Sequence, residues 1–331
     1  MYSDKPLNLF YSESDPDRWL PYDRYPRKLI RRIYRGKSKP SGQLLVFRNL
    51  LKGLDRLNIP YRINNYKYAK RHPHELVCII GRDEVLFEHD WENPILFGAA
   101  FGINPLSHPN ILQQYAIKKL LVPGPWVKEL FASYGADNVE IWPVGIDTEE
   151  WKPTSPEKKI DFLIYNKIRW HHDEMNTELI RPIKECLTAN HFTFTEIKYG
   201  CYNPSDLKEK LSVCRYAIFL CEHETQGLAY QQILSSGLPI LAWDRSGYWQ
   251  DPAWFPDKIK FAPVSSVPYW DEICGTKFTS KNDFELNLAA FIHKSAADFF
   301  QPREYILENL TLEKCAYRYL EIVASINGSN G

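Results

Sequence analysis

Residues 216–244 run Tyr-Ala-Ile-Phe-Leu-Cys-Glu-His-Glu-Thr-Gln-Gly-Leu-Ala-Tyr-Gln-Gln-Ile-Leu-Ser-Ser-Gly-Leu-Pro-Ile-Leu-Ala-Trp-Asp. The first six are apolar or aromatic without a break, the pattern of a parallel strand buried on both faces. A polar loop, residues 222–226, follows. Gly227 then opens a helix that turns Leu228, Ile233 and Leu234 inward, Gly237 stops it, and residues 238–243 form the next strand. A helix N-terminus in this setting offers unpaired backbone N–H groups and about half a positive charge. It suits a phosphate or diphosphate. Glu224, just ahead of the helix, is placed to face whatever that phosphate carries. Gln232, two turns further on, is placed for another part of an elongated ligand. The same residues also fit an ordinary strand–loop–helix–strand unit with a solvated acidic loop.

The alternation continues on both sides. Strands are expected at residues 7–11, 61–64, 76–80, 95–100, 119–122 and 139–144, then at 160–165, 192–198, 239–243 and 258–262. Residues 43–57 place Leu44, Phe47, Leu50, Leu51, Leu54 and Leu57 at a spacing close to that of a helix. Further helices are expected at 126–134, 207–214, 228–236 and 304–323. The pattern is that of an α/β protein with parallel sheets. A polar joint with Pro153, Thr154, Ser155 and Pro156 divides it. The expected division is 1–153, 154–303 and a C-terminal helix, 304–331, returning to the first domain. Two doubly wound domains place ligands at strand carboxyl ends, in the cleft between them.

The composition narrows the field. A hydrophobic share of 44% over 331 residues supplies real cores and excludes a disordered chain. Lys+Arg 41 against Asp+Glu 41 gives no net charge, so nucleic acid is not an expected partner. The seven cysteines show no Cys-x-x-Cys pair and sit mostly in apolar runs, which reads as reduced thiols in a cytoplasmic protein. No apolar stretch is long enough to span a membrane. Residues 27–39 carry Arg27, Lys28, Arg31, Arg32, Arg35, Lys37 and Lys39 and no acid, with Leu29, Ile30, Ile33 and Tyr34 at helical spacing. A basic amphipathic helix of this kind fits peripheral contact with an anionic membrane or a diphosphate-lipid acceptor, and equally a solvated face. The aromatics Tyr248, Trp249, Trp254, Phe255, Tyr269 and Trp270 fit a sugar-binding rim or the packing of a long insertion.

The quoted segment resembles the signature of the GT-B glycosyltransferases, above all the retaining family 4 type. Their pattern is Glu-x-x-Gly-Leu-x-x-x-Glu-Ala followed by Gly-x-Pro-Val. Here stand Glu224, Gly227, Leu228 and then Gly237-Leu238-Pro239-Ile240, with Gln232 in place of the second Glu. Residues 122–131 resemble the family's strand–helix segment. Residues 141–147 with Trp151-Lys152-Pro153 resemble its interdomain passage, Pro-Asn-Gly-Val-Asp and Phe-x-Pro. The resemblance implies two Rossmann-like domains facing each other across a cleft, an acceptor domain first and a nucleotide-sugar domain second.

Site residues follow from the same resemblance. Glu224 would position the donor sugar, and Thr225, Gln226, Gly227 and Leu228 would form the loop and helix start at the diphosphate. Gln232 would meet the ribose, since Gln keeps one acceptor and gains two donors. Lys167, at the end of the strand beginning at Asp161, would be the phosphate cation, with Arg169 the second choice. Tyr199 stands where the family contacts the base, Gly42 in the loop facing the diphosphate, and His108 nearest to the family's His beside the anomeric centre. Phe101-Gly102 ends the strand where that His is usual, and His89 and Asp90 are alternatives to His108. The run His171-His172-Asp173-Glu174 replaces the family's Lys-Gly. It invites a metal reading, but adjacent residues rarely converge on one ion, and no metal or other cofactor is expected. The implied activity is transfer of a hexose from a nucleotide diphosphate sugar to a glycan, glycolipid or other hydroxyl acceptor, with retention. An inverting reaction would need a general base, His108 or Asp90. A nucleotide-sugar epimerase or hydrolase, or a non-catalytic binder, are the alternatives.

Overall fold

The computed structural model describes residues 5–12, 41–81, 83–99, 105–135, 137–155 and 157–328. The basic segment 27–39 and the pair Phe101-Gly102 lie outside the described residues. Two compact units form. One draws on residues 1–122, 131–142 and 316–331, the other on 123–130 and 143–315.

The first unit is built on a six-stranded sheet with strands β1 (Leu7–Phe10), β2 (Tyr61–Ile63), β3 (Val77–Ile79), β4 (Ile95–Phe97), β5 (Ile117–Val122) and β6 (Val139–Ile141). Its order is β2-β1-β3-β4-β5-β6, with every neighbouring pair parallel. β3 and β4 are buried at every residue, as continuous apolar runs demand in a sheet covered on both faces. The helix Gly42–Arg56 starts at Ser41, whose Oγ accepts the Leu44 N–H at 3.1 Å, and buries Val46, Phe47, Leu50 and Leu54. The chain's last helix returns to this unit, where Tyr319 packs edge-on against Trp142 at 4.9 Å and Arg318 pairs with Glu140.

The second unit holds β7 (Ile160–Lys167), β8 (Phe194–Lys198), β9 (Cys214–Cys221), β10 (Ile240–Trp243) and β11 (Gly275–Phe278), all parallel, in the order β11-β10-β9-β7-β8. Alternate residues supply its two cores. Leu163, Tyr165, Ala217, Phe219, Ile240 and Ala242 face one side. Phe162, Ile164, Ile218, Leu220, Leu241 and Trp243 face the other. Both sheets change direction of strand order once, between β1 and β3 and between β7 and β9. In open α/β sheets that switch point, at the strand carboxyl ends, is where ligands bind.

The observed elements differ from expectation at several points. Residues 258–262 are not a strand. Lys258 and Lys260 are exposed, and Pro263 cannot donate to a ladder; Phe261 instead accepts one backbone bond from Trp249 at 2.9 Å within a long loop. β11 has no apolar run to announce it, because it is a short edge strand in which only Gly275 and Phe278 are buried. The expected helix 304–323 is two, Pro302–Asn309 and Leu312–Gly328. They part where the Leu310 carbonyl accepts the Ile146 N–H at 2.8 Å and Thr311 bridges Ile146. The proline-bracketed joint lies inside the second unit, where Trp151 is buried and its carbonyl accepts the Ser235 hydroxyl at 2.6 Å.

Candidate functional site

The switch point of the second unit gathers the loops that leave β7 and β9. Register sets Lys167 beside Cys221, the last residue of β9. Residues 222–226 then lead to Gly227, the N-cap of the helix Leu228–Ser235. Gly227 has φ +80°, and a Cβ there would lie 2.0 Å from the fully buried Tyr230 ring, so no other residue fits. The first intrahelical bond runs from the Gln231 N–H to the Gly227 carbonyl, which leaves the N–H groups of residues 228–230 without helical partners.

The acidic loop is not solvated. Glu222, His223 and Glu224 are exposed by only 4%, 3% and 7%. Each buried polar group therefore needs a partner. Glu224 forms an ion pair with Lys167, whose side chain is 13% exposed. Burial by itself would lower the lysine's pKa, but the Glu224 carboxylate and the neighbouring Cys221 more than offset this and hold it above its usual value. Lys167 Nζ also sits 4.5 Å from the centroid of the Tyr199 ring. Tyr199 follows β8, donates its N–H to the Asn166 carbonyl at 2.8 Å, and is 53% exposed. An exposed aromatic face thus borders a buried cation at the strand ends.

Glu222 fixes the turn after β7. Its Oε1 accepts the N–H groups of Arg169 at 2.8 Å and Trp170 at 3.1 Å. The Arg169 guanidinium faces its other oxygen at 3.6 Å, donates to the His223 carbonyl at 2.7 Å and lies over Trp170. Arg169 is thus committed to holding the two loops together. His223 is walled by Trp126, Trp170 and Trp249, with ring centroids 5.5–6.3 Å away. Burial first, then the charges of Arg169, Arg245 and Lys167, push its pKa down to about 2, so the imidazole is neutral.

The other expected residues divide. Gln226 is clamped to the chain itself: its Oε1 accepts the Val144 N–H at 3.1 Å, and its Nε2 donates to the Val144 carbonyl at 3.3 Å and to Gln231 at 3.2 Å. Its side chain ties the loop to the Val144 backbone. The Thr225 carbonyl lies where a Cβ on Gly124 would come within 2.4 Å, so the loop needs that glycine. Leu228 packs on the core and offers only its backbone. Gln232 is partly exposed on the helix that Gly227 opens. Gly42 and His108 belong to the first unit. Gly42 begins a helix and has open space around it. His108 bonds through Nδ1 to Ser107 Oγ at 3.0 Å and stacks on Phe87 at 5.2 Å, a local packing arrangement. His171, His172, Asp173 and Glu174 are exposed, and among the described residues no group of three or more His, Cys, Asp or Glu is arranged to hold a metal ion.

Sequence reasoning passed over Glu222, His223, Trp126 and Arg245. Trp126 donates its indole N–H to the Glu224 carbonyl at 2.7 Å. Arg245 follows β10, one strand beyond β9. The available signal was the apolar run before Glu222: a strand buried to its last residue delivers the next few residues into the interior as well.

No protein-family model and no curated protein sequence matches the chain. Solved structures do resemble it. WaaG, a glycosyltransferase involved in lipopolysaccharide biosynthesis, superposes with a TM-score of 0.52 at 11% identity, over 86% of this chain and 96% of WaaG. HepE of Anabaena, solved in complex with UDP, gives 0.55 at 12% identity, over 97% of this chain and all of HepE. TarM gives 0.54 at 12% identity, over 84% of this chain and 57% of TarM. Likeness at these identities speaks to architecture: the chain has the GT-B fold, with two Rossmann-like, parallel-sheet α/β domains.

Proposed function

We propose that the chain is a glycosyltransferase that moves a hexose from a nucleotide diphosphate sugar to a hydroxyl of a glycan or lipid-linked acceptor, with retention of configuration. The observation that carries this reading is the buried Lys167–Glu224 pair standing directly ahead of the Gly227-capped helix at a topological switch point. A diphosphate at the free N–H groups of residues 228–230 draws Lys167 from Glu224. Its negative charge then rests on the ammonium and the helix N-terminus as the glycosidic bond breaks, a preorganised stabilisation of the leaving group. Glu224, released, accepts hydrogen bonds from sugar hydroxyls and orients the ring. Gln232, further along the same helix, meets the ribose, and the exposed ring of Tyr199 stacks on the base. No metal or other cofactor enters this scheme.

HepE was solved with UDP, which makes UDP the first nucleotide to try. The test is incubation with UDP-, GDP- and ADP-sugars, with and without a panel of glycan and glycolipid acceptors. Release of nucleoside diphosphate that depends on acceptor supports transfer. Free sugar without acceptor points to a hydrolase, and binding without turnover to a binding protein. Cytoplasmic placement, with membrane contact through residues 27–39, belongs to the same reading. Anionic vesicles at low salt should retain the wild type and release an Arg27, Arg31 and Arg35 neutralised variant. Wild type that ignores such vesicles removes that part.

A further inference from the structure

The charges at the strand ends do not cancel. Lys167 pairs with Glu224, and Arg169 faces, at 3.6 Å, Glu222, whose Oε2 has no hydrogen-bond partner. Asp244, the first residue after β10, is fully engaged: it pairs with Lys277 at 2.8 Å and accepts from Ser265 Oγ and the Ser266 N–H, each at 2.9 Å. Arg245 is left over. Among the described residues it makes no ion pair. One guanidinium N–H reaches the Tyr248 carbonyl at 3.1 Å, the guanidinium carbon stands 5.7 Å from the centroid of the Trp243 ring, and the buried Nε has no hydrogen-bond partner. Close by, the buried Nδ1 of His223 also lacks one. Burial lowers the pKa of Arg245, with Glu222 acting in the opposite direction. A half-buried cation with no ion pair and a buried imidazole, each with one nitrogen left without a hydrogen bond, mark a place where a ligand supplies an anion and an acceptor.

Sheet order says which part of the ligand arrives there. Across the strand ends stand Tyr199 after β8, Lys167 on β7, Glu224 after β9 and Arg245 after β10. Neighbouring strands lie about 4.8 Å apart, so Lys167 and Arg245 stand on strands separated by roughly 10 Å. A ligand that sets its base at Tyr199 and its diphosphate between Lys167 and the helix N-terminus continues toward β10 with its sugar. We propose that Arg245 reads a carboxylate on the transferred sugar, so that the donor is a nucleotide diphosphate uronic acid. This deepens, and rests on, the nucleotide-sugar reading above. The planar guanidinium fork matches a carboxylate in two parallel hydrogen bonds, which a neutral hydroxymethyl group in the same position does not provide. Trp249 and Trp170, both partly exposed beside His223, offer apolar faces to the ring.

The test is calorimetric titration of the wild type, Arg245→Gln and Arg245→Lys with UDP, UDP-glucose, UDP-glucuronate, GDP, GDP-mannose and GDP-mannuronate. The expected result is a ten- to hundredfold preference of the wild type for the acidic member of one pair, a ratio near one in Arg245→Gln, and partial recovery in Arg245→Lys. Nucleotide binding with no acid preference in the wild type overturns this inference and leaves the nucleotide-sugar reading standing. An equal loss in Arg245→Gln for free nucleotide and for both sugars places the guanidinium on the diphosphate and overturns it as well. Failure of every nucleotide to bind removes the parent reading, and this inference with it.

Discussion

Lys167 and Glu224 hold one another, and each is expected to serve a ligand once it binds. Their variants should therefore separate. Lys167→Met leaves a buried carboxylate without its partner and should cost roughly 3 kcal/mol of stability, much of it recovered when Glu224→Gln is added. Chemical denaturation of the two single variants and the double variant measures this; additive losses would show that the pair is not coupled. Glu224→Ala should strike the chemical step and lower kcat strongly while free nucleoside diphosphate still binds, because sugar orientation matters most as the bond breaks. On the proposed reading Gln232 meets the ribose, which does not change during transfer. Gln232→Ala should raise KM and weaken free nucleotide alike, and Gln232→Glu should keep activity. Nucleotide affinity untouched in Gln232→Ala would take the helix face away from the ribose.

At the scale of elements, the strand–loop–helix passage is fixed by one backbone conformation. Gly227 combines a left-handed φ with a Tyr230 ring that is fully buried and has nowhere to go. Gly227→Ala should cost about 1–3 kcal/mol and show as a lower melting temperature; an unchanged one would mean that the helix start relaxes freely. This passage was legible because an apolar strand, a glycine cap and a second apolar strand each carry a strong local signal. The pairing of Lys167 with Glu224 was not, since the two are 57 positions apart and meet only through the β7–β9 register. The partner of Gln226 was hidden for a related reason. Its place beside the glycine fits a ligand loop, but its partner is the Val144 backbone, a contact set by tertiary packing. β11 and the break at Leu310 escaped because both depend on neighbours distant in sequence, the Ile240 and Ile146 backbones.

At the scale of the whole molecule, the same buried cluster sets an acid limit. His223 takes no proton in the folded chain until near pH 2, whereas an unfolded histidine takes one near 6.5. The unfolded state thus binds more protons below 6.5, and stability falls there by about 1.4 kcal/mol for each pH unit from this group. His223→Phe should lose about 1.4 kcal/mol less than wild type between pH 7.5 and 5.5, read from denaturant midpoints; equal losses would remove His223 as the cause. The central claim, that the β7–β9 switch point of the second domain is a nucleoside diphosphate site, is open to one direct measurement. Calorimetric titration of UDP, GDP and ADP into wild type and Lys167→Ala should find one nucleotide that binds at a single site, weakened in the variant by about 1.5–3 kcal/mol, the range for a hydrogen bond to a charged group. Absence of binding by all three, or equal affinity in the two proteins, would contradict it.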